Sequence, residues 1–237
     1  MTASRAALGR DGLRVKVAVQ RVRVGTEEYR VISPARPLRN AVLNRAYNDG
    51  YDMYVDRTDG RRVGTLLLLA ARSPRSLVYL PLRANPPVPG SGWDDHETPL
   101  DVVLAHRAVQ FRASRWKRIR AVIRAGNTPR ELRTAAVPER DLTVDGDIDW
   151  AVSGDRYVLR QHVHAETLVL SGAGGGFREA AREIFALAAQ GPRVAARHRI
   201  YLPGGCNYHV CRCLYAWGDL RPDREQIHVE FQPRWAR

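Results

Sequence analysis

The chain has 237 residues, 44% of them hydrophobic, and carries 38 Lys and Arg against 25 Asp and Glu, for a formal net charge of +13 and a pI near 10.4. Length and apolar share are those of a globular protein with a substantial core, and the charge calls for anionic partners, or for counter-anions wherever copies pack together. Three cysteines, an odd count crowded into Cys206–Cys213, do not suggest a secreted disulfide framework, and the longest apolar stretch, Thr65–Ala71, is too short to span a bilayer.

Lys16 and Lys117 are the only lysines, so the basic residues are almost all arginine. Arginine pairs in a planar, bidentate way with carboxylate or phosphate and keeps its charge in alkali, where lysine loses its proton. Met1–Leu13 holds no apolar run, so no signal peptide is expected. With clustered thiols, this places the chain in a reducing, soluble compartment.

In chain order, residues 1–12 read as an arm or short helix. Leu13–Val24 alternates apolar and polar residues as a strand does, with a change of phase at Gln20-Arg21 that predicts a bulge or tight turn. Ser33-Pro34 and Arg36-Pro37 break the chain before a helix predicted over 38–47, where Leu38, Val42 and Leu43 have helical spacing. Asn48-Asp49-Gly50 turns into a strand at Tyr51–Val55. Thr58-Asp59-Gly60 reads as a hairpin turn before Val63–Ala71, whose continuous apolar run suits a central strand. Leu77–Leu80 is a strand, Asn85–Trp93 a Pro/Gly loop, and Pro99–Arg107 a short helix or strand. Arg107–Asn127 shows two alternations flanking the basic centre Arg112, Arg115, Lys117, Arg118 and Arg120, which predicts a charged β-arch with no acid nearby in sequence. Thr128–Asp149 is a polar surface excursion, Arg156–Leu170 a long strand, and 177–190 a helix. Arg199–Leu202 and Gln226–Phe231 are further strands, with a helix or strand at Cys206–Trp217. Strands outnumber helices, so one β-rich α+β domain with a few packed helices is expected over 13–237.

Several groupings carry chemistry. His164-Ala165-Glu166 with Cys206 and Cys211 has the residue types of a zinc deaminase: a histidine ligand, a proton-shuttling glutamate and two thiolates. That chemistry puts the H-x-E at a helix start and spaces the cysteines C-x-x-C. Here the H-x-E lies in an alternating strand and the cysteines are spaced C-x4-C. His162, His164 and Glu166 with Pro203-Gly204-Gly205 and His209 are similar to the ligand set of cupins, where two histidines and a carboxylate form a facial triad. A helix separates the two halves here. Glu179-Ala180-Ala181-Arg182 with Trp217 faintly resembles the ribosome-inactivating N-glycosidases, although alanine-rich helices produce E-A-A-R readily. Gly172–Gly176 after a strand could cradle a phosphate at a helix N-terminus. It lacks the lysine of a P-loop and the last glycine of the dinucleotide fingerprint.

The order of larger pieces resembles the cypovirus polyhedrins, the matrix proteins that crystallise around virions in infected insect cells. The residues that carry the resemblance are N-D-G-Y-D-M-Y-V at Asn48–Val55, R-A-V-Q at Arg107–Gln110 with S-R-W-K-R-I-R-A-V-I-R-A-G-N running to Asn127, and T-L-V-L-S-G at Thr167–Gly172, followed by a loop and a helix. They span most of the chain from Leu13 onward. The chain departs from the family in a short N-terminal segment, in only nine tyrosines and in its heavy arginine content.

The resemblance implies an antiparallel β-sandwich core with packed helices, trimers in a dense lattice, and nucleotides of the ATP or GTP kind bound between molecules. It also implies virus particles as partners, inclusion bodies in the host cytoplasm, and neither a catalytic cofactor nor an enzymatic activity. The alternative is the zinc-dependent hydrolase of His164, Glu166, Cys206 and Cys211. Independently, copies at this charge repel unless anions neutralise them, and Arg112, Arg115, Lys117, Arg118 and Arg120 are the candidate anion contacts. Tyrosines ionise near pH 10 while arginines stay charged, so Tyr47, Tyr51 and Tyr54, beside Asp49, Asp52 and Asp56, are the candidate alkaline switch.

Overall fold

A computed structural model describes residues 12–46, 50–88, 98–143, 157–197, 201, 209–214 and 225–236. They build two sheets and three α-helices, a β-rich α+β fold. In chain order the elements are β1 (Gly12–Val24), β2 (Glu27–Pro34), β3 (Ala41–Arg45), β4 (Tyr51–Val55), α1 (Arg57–Arg72) and β5 (Ser76–Leu80). There follow β6 (Thr98–Pro99), β7 (Asp101–His106), α2 (Trp116–Arg124), β8 (Glu131–Pro138), β9 (Leu159–Val163), β10 (Thr167–Gly172), α3 (Gly174–Arg197), β11 (Cys211–Cys213) and β12 (Ile227–Phe231).

The larger sheet has the order β8-β1-β2-β5-β7-β10-β9, the smaller β11-β12-β4-β3-β6. Both are mixed, because β2–β5, β7–β10 and β4–β12 pair in parallel. The purely antiparallel character expected from sequence therefore does not hold. Each parallel pair needs a long crossover, and α1 lies in the one between β2 and β5. One apolar cluster joins a face of the large sheet (Val15, Val17, Leu80, Leu104, Leu170) to α1, α3 and the small sheet. A second cluster fixes α2 to the opposite face of the large sheet through Val22, Tyr79, Val103, Trp116 and Ile119.

These two clusters explain the change of phase in β1. Its register with β2 runs unbroken from Val17↔Pro34 to Val24↔Glu27, so there is no bulge. Leu13, Val15, Val17 and Val19 point toward α1, whereas Val22 and Val24 point toward α2. The strand buries first one face, then the other.

Val63–Ala71 is helix, not the expected central strand. Asp56 caps α1 by accepting a hydrogen bond from the Asp59 N–H at 2.6 Å, and Arg62 pairs with Asp59 at 2.6 Å one turn on. The run Val63–Ala71 is buried at every position but Leu69, which is half-buried, because α3 and strands of both sheets surround this part of the helix, so the run itself shows no 3.6-residue period. Leu66 and Leu68 are fully buried, and each contributes roughly 1.5–3 kcal/mol by leaving water.

Three other expectations change. The helix predicted over 38–47 is strand β3, with Ala41–Asn44 all buried inside the small sheet. The basic arch is two 3-10 turns followed by α2; Trp116, Ile119 and Arg120 are buried at helical spacing, with Ile123 half-buried beyond them. Within Thr128–Asp149, Glu131–Pro138 is an edge strand. The helix expected over 177–190 is present and longer, and β4, β5 and β12 lie where expected. The arm, Arg199–Ile200, Leu202, Cys206 and Tyr47 lie outside the described residues.

Candidate functional site

The long strand expected at Arg156–Leu170 is a hairpin, β9 and β10, folded at the H-A-E motif. His164 and Thr167 exchange backbone hydrogen bonds at 2.9 and 3.2 Å around Ala165 (φ 49°) and Glu166 (φ 58°). Two consecutive left-handed residues make a tight hairpin turn that favours Asn-Gly, so no turn was legible in Ala-Glu. Each left-handed non-glycine residue costs about 1–3 kcal/mol and is held by its surroundings. Here Glu166 is ion-paired to Arg83 at 2.6 Å and to Arg120 at 3.3 Å.

That hairpin tip belongs to a polar network beneath α2. Asp101, 1% exposed, accepts hydrogen bonds from the Tyr79 hydroxyl at 2.9 Å and the Arg83 N–H at 3.0 Å, and faces Arg120 at 3.5 Å. Thr167 Oγ1 accepts from Trp116 Nε1 at 2.9 Å and from Arg120 Nη1 at 3.2 Å. Burial, then the Asp101 charge and hydrogen bond, push the Tyr79 phenol far up from its usual range. Arg120 thus fastens α2 from within, its acids supplied by distant parts of the chain. Of the other candidate anion contacts, Arg112, Lys117 and Arg118 are exposed, and Arg115 lies 3.7 Å from Glu27. A second group of basic residues lies elsewhere, in a groove of about 530 Å³ lined by Arg14, Arg57, Arg61 and Arg62 together with Glu139.

Among the described residues, one group of metal-ligating side chains lies together on the small sheet. Alternate residues of β11 and β12 share a face, and the register Cys211↔Glu230, Cys213↔His228 together with His228↔Asp52 on β4 aligns them. The opposite face carries Ile227, Val229 and Phe231 into the core. His209, just before β11, completes the group: ligand atoms of His209, Cys211 and His228 all lie within 4.8 Å of one another. His228 Nδ1 lies 3.3 Å from Asp52 Oδ1, and His209 Nδ1 lies 3.6 Å from Glu230 Oε1. The two imidazoles meet edge to face with centroids 5.4 Å apart. His228 Nε2 is buried with no hydrogen-bond partner among the described residues. Cys211 and Cys213 form no disulfide among the described residues.

Cys211 is therefore grouped with His209 and His228, and among the described residues His164 and Glu166 do not join it. His162 of β9 and His164 in the turn just after it stack on the other sheet, 6.4 Å between centroids. Glu179 and Arg182 of the E-A-A-R motif form an ion pair one helical turn apart on α3. Gly172 and Gly176 are required by packing, since a Cβ would lie 2.5 Å from the Val158 carbonyl oxygen and 2.8 Å from that of Tyr157. Tyr51 and Tyr54 are buried at 4% and 6% exposure.

His228, Asp52 and Glu230 were missed from the sequence. The signal was there, in H-x-C-x-C at His209–Cys213 and H-x-E at His228–Glu230, both at the two-residue period of a strand. No helix among the described residues is long and apolar enough to cross a membrane. The chain matches no family model, and neither curated proteins nor solved structures contain a significant match to it.

Proposed function

We propose that this chain is a non-enzymatic structural protein whose activity is to associate with copies of itself. The observation that carries this reading is the edge of the large sheet, which is open among the described residues. There β8 pairs with β1 on one side only, and Glu131–Thr134 are all exposed. Leu132, at 67%, is the exposed large hydrophobic residue among those described. An edge strand without a bulge, a central proline or a cover is a template for another strand.

The sequence at this edge is self-complementary. In an antiparallel pair centred on Leu132, Glu131 of one copy faces Arg133 of the other, and the two leucines meet on the opposite face. Cross-strand pairs of these kinds contribute about 0.2–1 kcal/mol each, and like charges face to face oppose pairing. Within one copy Glu131 and Arg133 already pair at 2.6 Å with both side chains more than half exposed. Such a surface pair is worth little and can be exchanged.

In its specific form the reading is the occlusion-body matrix implied by the polyhedrin resemblance: trimers linked in a lattice around virions in the host cytoplasm. β8 supplies a two-fold contact between trimers. Phosphate-bearing anions of the nucleotide kind offset the positive surplus, with the Arg14, Arg57, Arg61 and Arg62 groove as their seat.

The test is the oligomeric state measured by light scattering on a sizing column. Self-association is expected for the native chain and loss of it for Glu131→Arg or Arg133→Glu, each of which sets like charges face to face. Recovery is expected in the double exchange, which restores opposite pairs. A native chain that stays monomeric, or single variants that associate as well as the native chain, overturns the reading. Micrometre crystals on expression in insect cells test the occlusion-body form.

A further inference from the structure

We infer that His209, Cys211 and His228 bind one divalent cation of the zinc class, with Asp52 and Glu230 as the carboxylates that orient the two imidazoles. The inference is independent of self-association. Two imidazoles and one thiolate form a borderline-soft donor set, suited to zinc and poorly suited to magnesium or calcium, which take oxygen ligands. Bond lengths of about 2.0–2.3 Å put tetrahedral ligand atoms roughly 3.3–3.7 Å apart. The observed span of 4.8 Å or less closes to that with shifts of about 1 Å.

The surroundings of the rings make this more than a cluster of residue types. A metal-bound imidazole usually gives its second N–H to a carboxylate, which sets the tautomer and strengthens the ligand. Both rings turn Nδ1 to a carboxylate, His228 toward Asp52 and His209 toward Glu230. This leaves Nε2 as the ligand atom of each. For His228 that atom is buried and makes no hydrogen bond, a costly arrangement for a polar group that a metal bond would relieve.

Glu230, at 1% exposure, buries a carboxylate that a cation one imidazole away would stabilise. Cys211 and His228 lie on the paired strands β11 and β12, the latter also bound to β4, and His209 directly precedes β11, so the site is largely preformed. On binding, the Cys211 thiol releases its proton to solvent as the sulfur–metal bond forms.

Cobalt(II) is the probe, added to metal-stripped native chain. One equivalent is expected to produce the near-ultraviolet thiolate-to-cobalt band and the strong visible bands of a tetrahedral ion, and one equivalent of zinc to abolish them. Cys211→Ser is expected to lose the charge-transfer band, and His228→Ala to bind at least about 100-fold more weakly. Asp52→Asn is expected to keep the spectrum but lose about 10–100-fold in affinity. Cys213→Ser, whose native thiol accepts a hydrogen bond from Gln226, is expected to bind as the native chain does. Far-ultraviolet circular dichroism of each metal-free variant establishes that it is folded. Absence of the band in native chain, or folded Cys211→Ser and His228→Ala variants that bind like native, overturns the inference.

Discussion

Gly191 in α3 faces Phe231 of β12 so closely that a Cβ there would lie 2.2 Å from the ring's Cγ and 2.4 Å from Cδ2. Phe231 is 3% exposed, and β12 is hydrogen-bonded on both sides, to β11 and to β4, so the ring has no free direction of retreat. Replacing Gly191 with alanine gains at most about 1 kcal/mol of helix propensity, and less than that here because Pro192 follows within the helix and disfavours helical backbone at a preceding residue that carries a Cβ. Overpacking at a fixed site costs about 1–3 kcal/mol and sometimes more, and a contact more than 1 Å inside van der Waals distance belongs at or above the top of that range. The net expectation is a loss of about 2–3 kcal/mol, or roughly 4–12 °C in melting temperature for a chain of this size. Urea unfolding followed by circular dichroism measures it. The coupling is the sharper test. Phe231→Ala alone should cost about 3–5 kcal/mol, and with Gly191→Ala the total should fall well short of the sum, because the new methyl enters the space the ring has left. A Gly191→Ala variant as stable as native, or strictly additive costs, would refute the packing argument. Because β12 also carries His228 and Glu230, the same variant should weaken metal binding.

Arg120→Met should cost about 3 kcal/mol in urea unfolding, since it leaves Asp101 and Glu166 without their inner guanidinium; pairing it with Asp101→Asn should recover part of the loss, and a near-neutral single variant would show that the network adds little. Tyr201, whose hydroxyl donates to the Phe231 carbonyl at 2.7 Å and accepts from the Val210 N–H at 2.9 Å, is pushed up to about 12, chiefly by burial. The folded chain therefore keeps a proton that the unfolded chain gives up near pH 10. Its contribution is whole below pH 10 and is lost between pH 10 and about 12. The stability difference between native and Tyr201→Phe should shrink across that window, and a constant difference would show that Tyr201 does not titrate as argued. Tyr29 is raised as well, by burial and then by its hydrogen bond to Glu27. Tyr79 is raised by burial and by Asp101, so the contributions of these phenols are whole below pH 10 and fade from there upward.

Local pattern was readable where length and periodicity left one choice. β4, β5 and β12 are buried at nearly every position, yet they lie where their residues suggested because short apolar runs between turn signals suit strands, and the helix at 177–190 has one face against α1 and the core. Reading failed where a longer run fitted both kinds of element. The apolar run at Val63–Ala71 fits a buried strand and a buried helix equally, and the deciding feature, the Asp56 cap, is one hydrogen bond outside the run. In α2, Ile119, Ala121 and Ile123 alternate by accident, while the buried stripe begins at Trp116 and includes a charged residue, Arg120. A buried arginine is invisible to a hydrophobic pattern. Its partner Asp101 lies 19 positions away in sequence, and Glu166 farther still.

Composition and near neighbours suffice for the charge, the arginine chemistry, the strand-rich class and the residue types of a candidate metal site, because each depends on residues a few positions apart at most. Which residues meet is a matter of the folded chain. It separated His164 and Glu166 from Cys211 by placing them on different sheets, and brought His228 and Asp52 to that cysteine through one parallel and one antiparallel strand pairing. Strand register between distant segments is set by the packing of whole faces against the core, and no local stretch of chain contains that information.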